Sequence, residues 1–465
     1  MKKIFCLLNL LILLPNFLLA QNCNCKTNFE WVKKTFEEND AGFQYVIDSK
    51  GLNAYQNHNT LIAEKIAKIK NAEECNKVLY EWLTFFRSGH IAIINLGNVL
   101  DTKVIENKQI TDKWETLDIN IPEFEKYLKS KTKADFEGIW ETGSYKIGIK
   151  KVGDSYLGFI IEAGNIYWKK GEIKLRINDK NGTYYLQNKS SESFKNANFL
   201  GENYLQLGNF TLKRVFPKFK IDKNIELHLK LTSSSKPFIE KLNKTTLIFR
   251  IPSFNGSQKK VIDSLILVNK AEILKTENLI IDLRDNGGGS DFSYKEILPF
   301  LYTNPTRDIG VEMYSTKLNN QRMIDLINKP EFGLDEESKK WAKKSYDLLE
   351  KQLGEFVNVD GITVDVKKLD KINLYPKNVG IIINYGNAST TEQFLLSAKQ
   401  SKKVKLFGTT TFGVLDISNM NFVKSPCNEF ELGYCLSKSL RILFSQSKQQ
   451  TRRGRSYKFG FNLLF

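Results

Sequence analysis

From Thr246 onward the chain alternates short apolar runs with stretches of helical periodicity, and this pattern constrains the fold more than any other feature. Strands are predicted at Thr246–Ile251, Asn278–Leu283, Val379–Asn384 and Val404–Phe407. Helices are predicted at Ser257–Lys275, Thr390–Gln400 and, in an insertion, Asp335–Leu353. Apolar strands separated by helices must be covered on both faces, which implies an α/β core of mainly parallel strands.

The segments before this core differ in character. From Leu61 to Phe86 apolar residues recur at spacings of three and four (Leu61, Ile62, Ile66, Ile69; Leu79, Trp82, Leu83, Phe86), so residues 21–125 read as a helical N-terminal domain. Its last helix ends near Arg87-Ser88-Gly89, and a short apolar strand, Ile91–Leu96, follows. Residues 126–244 carry short aromatic and β-branched segments (YKIGIKK, SYLGFIIEA, GTYYLQN, NYLQLGN) with turn residues between them. That pattern predicts an antiparallel β module, a small barrel or sandwich. The fold class is therefore a multidomain α/β protein with an inserted antiparallel β module and a core at 245–465. No internal repeat or low-complexity tract interrupts it.

Residues 1–20, MKKIFCLLNLLILLPNFLLA, begin with two lysines, continue with an apolar run and end on a small residue. This is the layout of a cleavable secretory signal, with cleavage expected after Ala20, so the mature chain is expected outside the cytoplasm, periplasmic or extracellular, with no transmembrane segment. Six cysteines are present, of which Cys6 leaves with the signal. An exported protein can form disulfides, and Cys23 or Cys25 with Cys75, and Cys427 with Cys435, are the expected pairs. The formal charge of +17 comes mostly from lysine. It is not interleaved with aromatic residues, so it reads as a solvated surface and no nucleic-acid partner is expected. No His cluster accompanies the Cys23-x-Cys25 start, and neither metal nor organic cofactor is expected.

Two segments carry chemistry. In LIIDLRDNGGG, residues 279–289, a strand runs into Gly287-Gly288-Gly289, where positive φ and close backbone approach are available and amides can be aimed at an anion. No Gly-Lys-Ser/Thr follows, which excludes a Walker loop. In VGIIINYGNASTTEQFLLSAKQ, residues 379–400, a strand ends at Asn384 and a helix opens at Ser389. A hydroxyl is thereby set at a helix N-terminus, where N–H groups and the helix dipole favour developing negative charge. Ser389-Thr390-Thr391-Glu392 is also a capping box, in which Ser389 caps and Glu392 reaches back.

Together the two segments resemble the tail-specific, or C-terminal processing, serine peptidase family. The resemblance covers residues 245–420: TLIFRIPSF (246–254), Leu283 to Gly289, Ser389 with Glu392, and Thr411-Phe412-Gly413, in that order. It implies a crotonase-like α/β peptidase core with Ser389 as nucleophile. The implied oxyanion hole uses the N–H of Thr390 and an N–H from the loop of Gly287 and Gly288. Many relatives place a lysine just after T-F-G; here that residue is Val414, which cannot take a proton, and Lys402, Lys403 and Lys405 read as surface charge. The resemblance is therefore closer to the tricorn-like branch, which uses a histidine from an earlier segment. The chain has three histidines, His58, His90 and His228. His58 lies in a polar stretch expected to be a loop and His228 in a segment expected to be a strand. His90, in FFRSGHIAI, resembles the family's G-H segment and is the expected general base, with Arg87 or Ser88 shaping its turn. Glu431 and Glu429, ahead of Asp416, are the candidates for orienting it. No segment resembles the family's PDZ module, and the end of the chain, QTRRGRSYKFGFNLLF, does not resemble the family's usual ending.

The function implied is a serine peptidase acting on polypeptide substrates through a Ser389 acyl-enzyme. An alternative is a catalytically inactive member that binds peptides or other ligands outside the cytoplasm. An envelope scaffold using the β module is a further reading.

Overall fold

The structure is a computed structural model that describes residues 24–69, 71–97, 114–332 and 334–441. The expected signal segment and the divergent C-terminal sequence lie outside the described residues. The chain divides into two compact units: the described residues of 1–105 and 235–465, and those of 106–234.

The first unit contains the expected α/β layer. Its sheet runs in the order Phe238–Asn243, Thr246–Arg250, Asn278–Asp282, Asn378–Ile383, Val404–Gly408. The last four strands are parallel and the first is an antiparallel edge that the sequence reading did not anticipate. Leu247, Phe249, Leu279, Ile281, Val379, Ile381 and Ile383 fill its core with Ile262 and Ile266 of helix Lys259–Ile273 and Phe394 and Leu395 of helix Thr390–Ala398. Strands Asn278–Asp282 and Asn378–Ile383 are direct neighbours. The loops leaving their carboxyl ends therefore emerge side by side, the usual place for a site in such sheets.

The N-terminal helices, Cys25–Asn39, Phe43–Lys50, Leu52–Ile66 and Ala72–Thr84, are not a separate domain. Their apolar faces (Phe29, Val32, Phe36, Leu79, Trp82, Leu83) share one core with Leu432, Tyr434 and Leu436 of strand Phe430–Ser439. Strand Ala92–Asn95 pairs antiparallel with that same strand, Ala92 opposite Gly433 and Asn95 opposite Phe430. Helical periodicity identified the helices; it carried no information that their partner lies more than 300 residues downstream. His58 lies within helix Leu52–Ile66, stacked on Phe85, rather than in a loop.

Cys25 is disulfide-bonded to Cys75, joining the first and fourth helices. The expected Cys427–Cys435 pair is not formed: Cys427 is disulfide-bonded, whereas Cys435 is a buried free thiol. Cys435 lies within the extended strand, opposite Met420, and the stretch from Phe430 to Cys435 alone spans about 16 Å at strand rise. That is well beyond disulfide reach for a residue in the turn before it.

The second unit is one nine-stranded antiparallel sheet rather than a sandwich of two. Strand Gly138–Thr142 lies between Tyr145–Val152 and Phe210–Phe216. One face buries Trp140, Ile147, Leu175, Leu205 and Leu212; another cluster holds Ile139, Phe159 and Ile173 with Phe124 and Leu128 of helix Ile121–Lys129. That packing puts the helix in this unit, so the unit begins earlier than the expected boundary at 126. His228, expected on a strand, sits in helix Lys223–Ser233, which Asp222 caps by accepting from the N–H groups of Asn224 and Ile225. Among the described residues no helix is long and apolar enough to cross a membrane.

Candidate active site

Strand Asn378–Ile383 ends in a tight turn, Asn384–Ala388, and Ser389 opens helix Thr390–Ala398. Ser389 has φ 56° and ψ −124°, a conformation that L residues avoid. The strain is of order 1–3 kcal/mol and persists only where surrounding contacts dictate it. Asn387, fully buried, supplies several of those contacts. Its side chain accepts from the Asn384 N–H at 2.7 Å and donates to Leu283 O and Asn286 O. The turn that aims Ser389 is thus tied to the neighbouring glycine loop.

That loop has its own hub in Asn286, also fully buried. Its Oδ1 accepts from the N–H groups of Phe254 (3.2 Å) and Gly288 (3.0 Å) and from the Thr391 hydroxyl (2.8 Å), while its Nδ2 donates to Ile251 O (3.1 Å). Gly288, at φ 104°, lies directly against the Ser389 turn. A Cβ there would sit 2.7 Å from Ala388 O, 2.9 Å from Thr390 N and 3.0 Å from Ser389 Cβ. Gly289, at φ 146°, would bring a Cβ within 2.3 Å of the Phe254 backbone. Gly287 has open space around it. The Thr390 hydroxyl donates to Gly289 O at 3.0 Å, a further clamp between the two loops. Asn286 and Asn387 were missed in the sequence; the only signal was an asparagine at each turn, which ordinary turn chemistry also explains.

Glu392 is buried and reaches back to the Ser389 N–H at 3.1 Å, as expected of the capping box. It does more than cap. The same carboxylate accepts from the Thr411 hydroxyl (2.6 Å) and from the N–H groups of Gly413 (2.7 Å) and Val414 (3.0 Å). Four donors compensate the cost of burying this charge. The Thr411-Phe412-Gly413 segment is thereby fastened to the helix that carries Ser389.

His90 comes to this segment from the other side. Gly89 packs so closely that a Cβ would lie 2.5 Å from the Phe412 ring and 2.7 Å from Val414 Cγ1. The His90 Nδ1 lies 2.7 Å from Ile417 O. A carbonyl only accepts, so Nδ1 carries the hydrogen and Nε2 is left as the acceptor. Burial pushes the ring below its ordinary pKa and the Arg87 charge adds to this, while hydrogen bonds with the Ile417 and Val414 backbone and the Glu392 charge oppose it. The neutral ring is therefore favoured near pH 7. Glu392 thus accepts from the Ser389 N–H and acts on the His90 ring through its charge.

Glu429 and Glu431 do not join this cluster. Glu431 pairs with Ile94, and the Glu429 carboxylate accepts from Asn28 Nδ2 at 2.7 Å. The His90 carbonyl instead faces Cys435, whose Sγ lies 3.5 Å away. Cys435 is four residues along the strand from Glu431, about 13 Å at strand rise. Among the described residues, Asp416 makes no hydrogen bond to His90; the backbone carbonyl of its neighbour Ile417 does. Val414 fills the position after T-F-G with an apolar side chain, and Lys403 donates to Asn373 O on strand Val404–Gly408's approach, away from these contacts.

Residues 245–452 match the sequence profile of Peptidase family S41. Among solved structures, mature CPAF is similar at 12% identity, covering 90% of this chain and 89% of that chain with a TM-score of 0.46. A lipoprotein from Streptococcus agalactiae is similar at 13% identity, covering 96% and 100% with a TM-score of 0.36. The photosystem II D1 C-terminal processing protease is similar at 9% identity, covering 90% and 88% with a TM-score of 0.35. No curated protein sequence matches the chain.

Proposed function

We propose, for a chain that belongs to peptidase family S41 through residues 245–452 and is thus a serine-type peptidase, that Ser389 is its nucleophile and His90 its general base. The observation that carries this reading is the positive φ of Ser389 at the start of a helix, with Gly288 pressed against it. A strained strand-to-helix turn holds a serine hydroxyl out of the helix and beside amide donors, as a nucleophile requires.

Ser389 Oγ attacks the scissile carbonyl carbon as His90 Nε2 takes its proton. In this reading the Nδ1–H donated to Ile417 O favours the tautomer in which Nε2 can accept a proton, the part an orienting carboxylate plays elsewhere. The developing oxyanion is received by the Thr390 N–H, at the first position of the helix, and by a glycine-loop amide. The Gly288 N–H is engaged with Asn286 Oδ1, so Gly287 or Gly289 is the better donor, with Gly288 providing the close approach. Imidazolium returns the proton to the leaving amine, and water, deprotonated by His90, releases the acyl group.

The substrates are polypeptides, met outside the cytoplasm if residues 1–20 direct export. Hydrolysis of a quenched fluorescent unfolded polypeptide tests the reading. Ser389→Ala is expected at background and His90→Ala lower by about 10²–10⁴-fold, the usual range for a general base. Wild-type rates in Ser389→Ala refute the nucleophile. A wild-type protein that binds the polypeptide without cleaving it favours the inactive, ligand-binding reading.

A further inference from the structure

We propose that Asp40 and Arg87 are positioning residues that set the orientation of the His90 ring. This rests on the reading of His90 as base. His90 sits at φ 55°, in the left-handed region, so its backbone must be held there by other groups. Arg87 provides the hold: Nη2 and Nε both donate to the His90 carbonyl, at 3.0 and 3.3 Å. The planar guanidinium is in turn fixed by a two-pronged pairing with Asp40, through Nη1 to Oδ1 at 2.8 Å and Nη2 to Oδ2. A lysine has no such fork.

Asp40 is almost fully buried and has further partners. It accepts from the Gly42 N–H at 2.9 Å and from the Cys435 N–H at 3.0 Å, and the Ala41 N–H donates to Cys435 O at 2.9 Å. The end of the first helix is thus anchored to strand Phe430–Ser439 at the level of His90. Gly42 leaves the guanidinium its room, since a Cβ there would lie 2.9 Å from Arg87 Nη1. With the carbonyl side of His90 gripped by Arg87 and its ring bonded to Ile417 O, the ring has one orientation. The N-terminal helices then belong to the catalytic apparatus by positioning its base.

The test uses Arg87→Gln, Asp40→Asn and the double variant, which removes both charges and so leaves no buried ion unpaired. With three histidines in the chain, His-selective ¹⁵N labelling gives an assignable spectrum. Wild type should show one neutral His90 tautomer, Nδ1–H. Each variant should show mixed tautomers and a fall in kcat of about 100-fold, as expected for small misplacement of a reacting group, with KM little changed. The charges acting on the ring are Arg87 and Glu392. Arg87→Gln should therefore move the acid limb of kcat to higher pH, and Asp40→Asn, which leaves Arg87 uncompensated, to lower pH. Folded variants that keep the single tautomer, kcat and limb of wild type overturn the proposal. Full activity in His90→Ala refutes His90 as base instead, while the tautomer spectra still report whether Arg87 and Asp40 orient the ring.

Discussion

The three consecutive glycines offer a test in which the structure assigns neighbouring, chemically identical substitutions very different costs. At Gly288 an added Cβ meets Ala388 O at 2.7 Å, Thr390 N at 2.9 Å and Ser389 Cβ at 3.0 Å, and φ is 104°. The first two are backbone atoms and all three belong to the Ser389 turn, held by Asn387, so none can swing aside. Positive φ costs a non-glycine residue about 1–2 kcal/mol. Overpacking adds about 1–3 kcal/mol. Gly288→Ala should therefore destabilise the unit by about 2–5 kcal/mol. It should also lower kcat by about 100-fold, because relief of the clash moves Ser389 or Thr390. Gly287 has nothing within 4 Å and no positive φ, so Gly287→Ala should change stability by less than about 0.5 kcal/mol. Urea denaturation and peptide hydrolysis on both variants give the comparison. Equal effects at the two positions would refute the account of the loop.

Further outcomes follow from the same contacts. Asn286→Ala leaves the Gly288 N–H without its acceptor, while the Phe254 N–H keeps Gly288 O; one orphaned buried donor costs about 1–3 kcal/mol, and the loss should appear in both stability and kcat. His90 is held below its ordinary value of about 6.5 in the fold, so kcat/KM should be flat at neutral pH and fall only below that value as the ring takes up a proton. Because the folded value is the lower one, the ring's stability contribution is fully present above about pH 6.5 and lost as pH falls through the folded value; a stability optimum on the acid side of 6 would contradict this. Replacing Cys25 and Cys75 by alanine opens a loop of separation 50, worth about 4 kcal/mol in the chain-entropy account, and should lower the melting temperature without altering the pH profile.

Local pattern in the sequence was enough for what is local in the fold. The four parallel strands and the helix after Ser389 lie within a residue or two of their expected limits, because buried strands and helix starts are written in short-range periodicity and capping chemistry. The turn that opens on Ser389 and the glycine loop were legible for the same reason. What was not legible is long-range. Nothing near Ala92 says that it pairs with Gly433, and that pairing brings His90 to Val414 and carries Glu431 away from it. The carboxylates were sought because an imidazole needs an acceptor behind it; the structure offers a backbone carbonyl, Ile417 O, which leaves no mark in side-chain identity. The Asp40–Arg87 pair was hidden likewise, since ordinary surface ion pairs use the same residue types. The turn-forming asparagines 286 and 387 looked generic because their buried bonds cross between loops about 100 residues apart.

Covalent labelling of Ser389 tests the central claim most directly. The wild-type protein, Ser389→Ala and His90→Ala are treated with a fluorophosphonate at pH 7.5, and the modified peptide is mapped by mass spectrometry. The account predicts one adduct, on Ser389, absent from Ser389→Ala and formed at least about 100-fold more slowly in His90→Ala. An adduct on another residue that persists in Ser389→Ala, or equal labelling rates in wild type and His90→Ala, would contradict it.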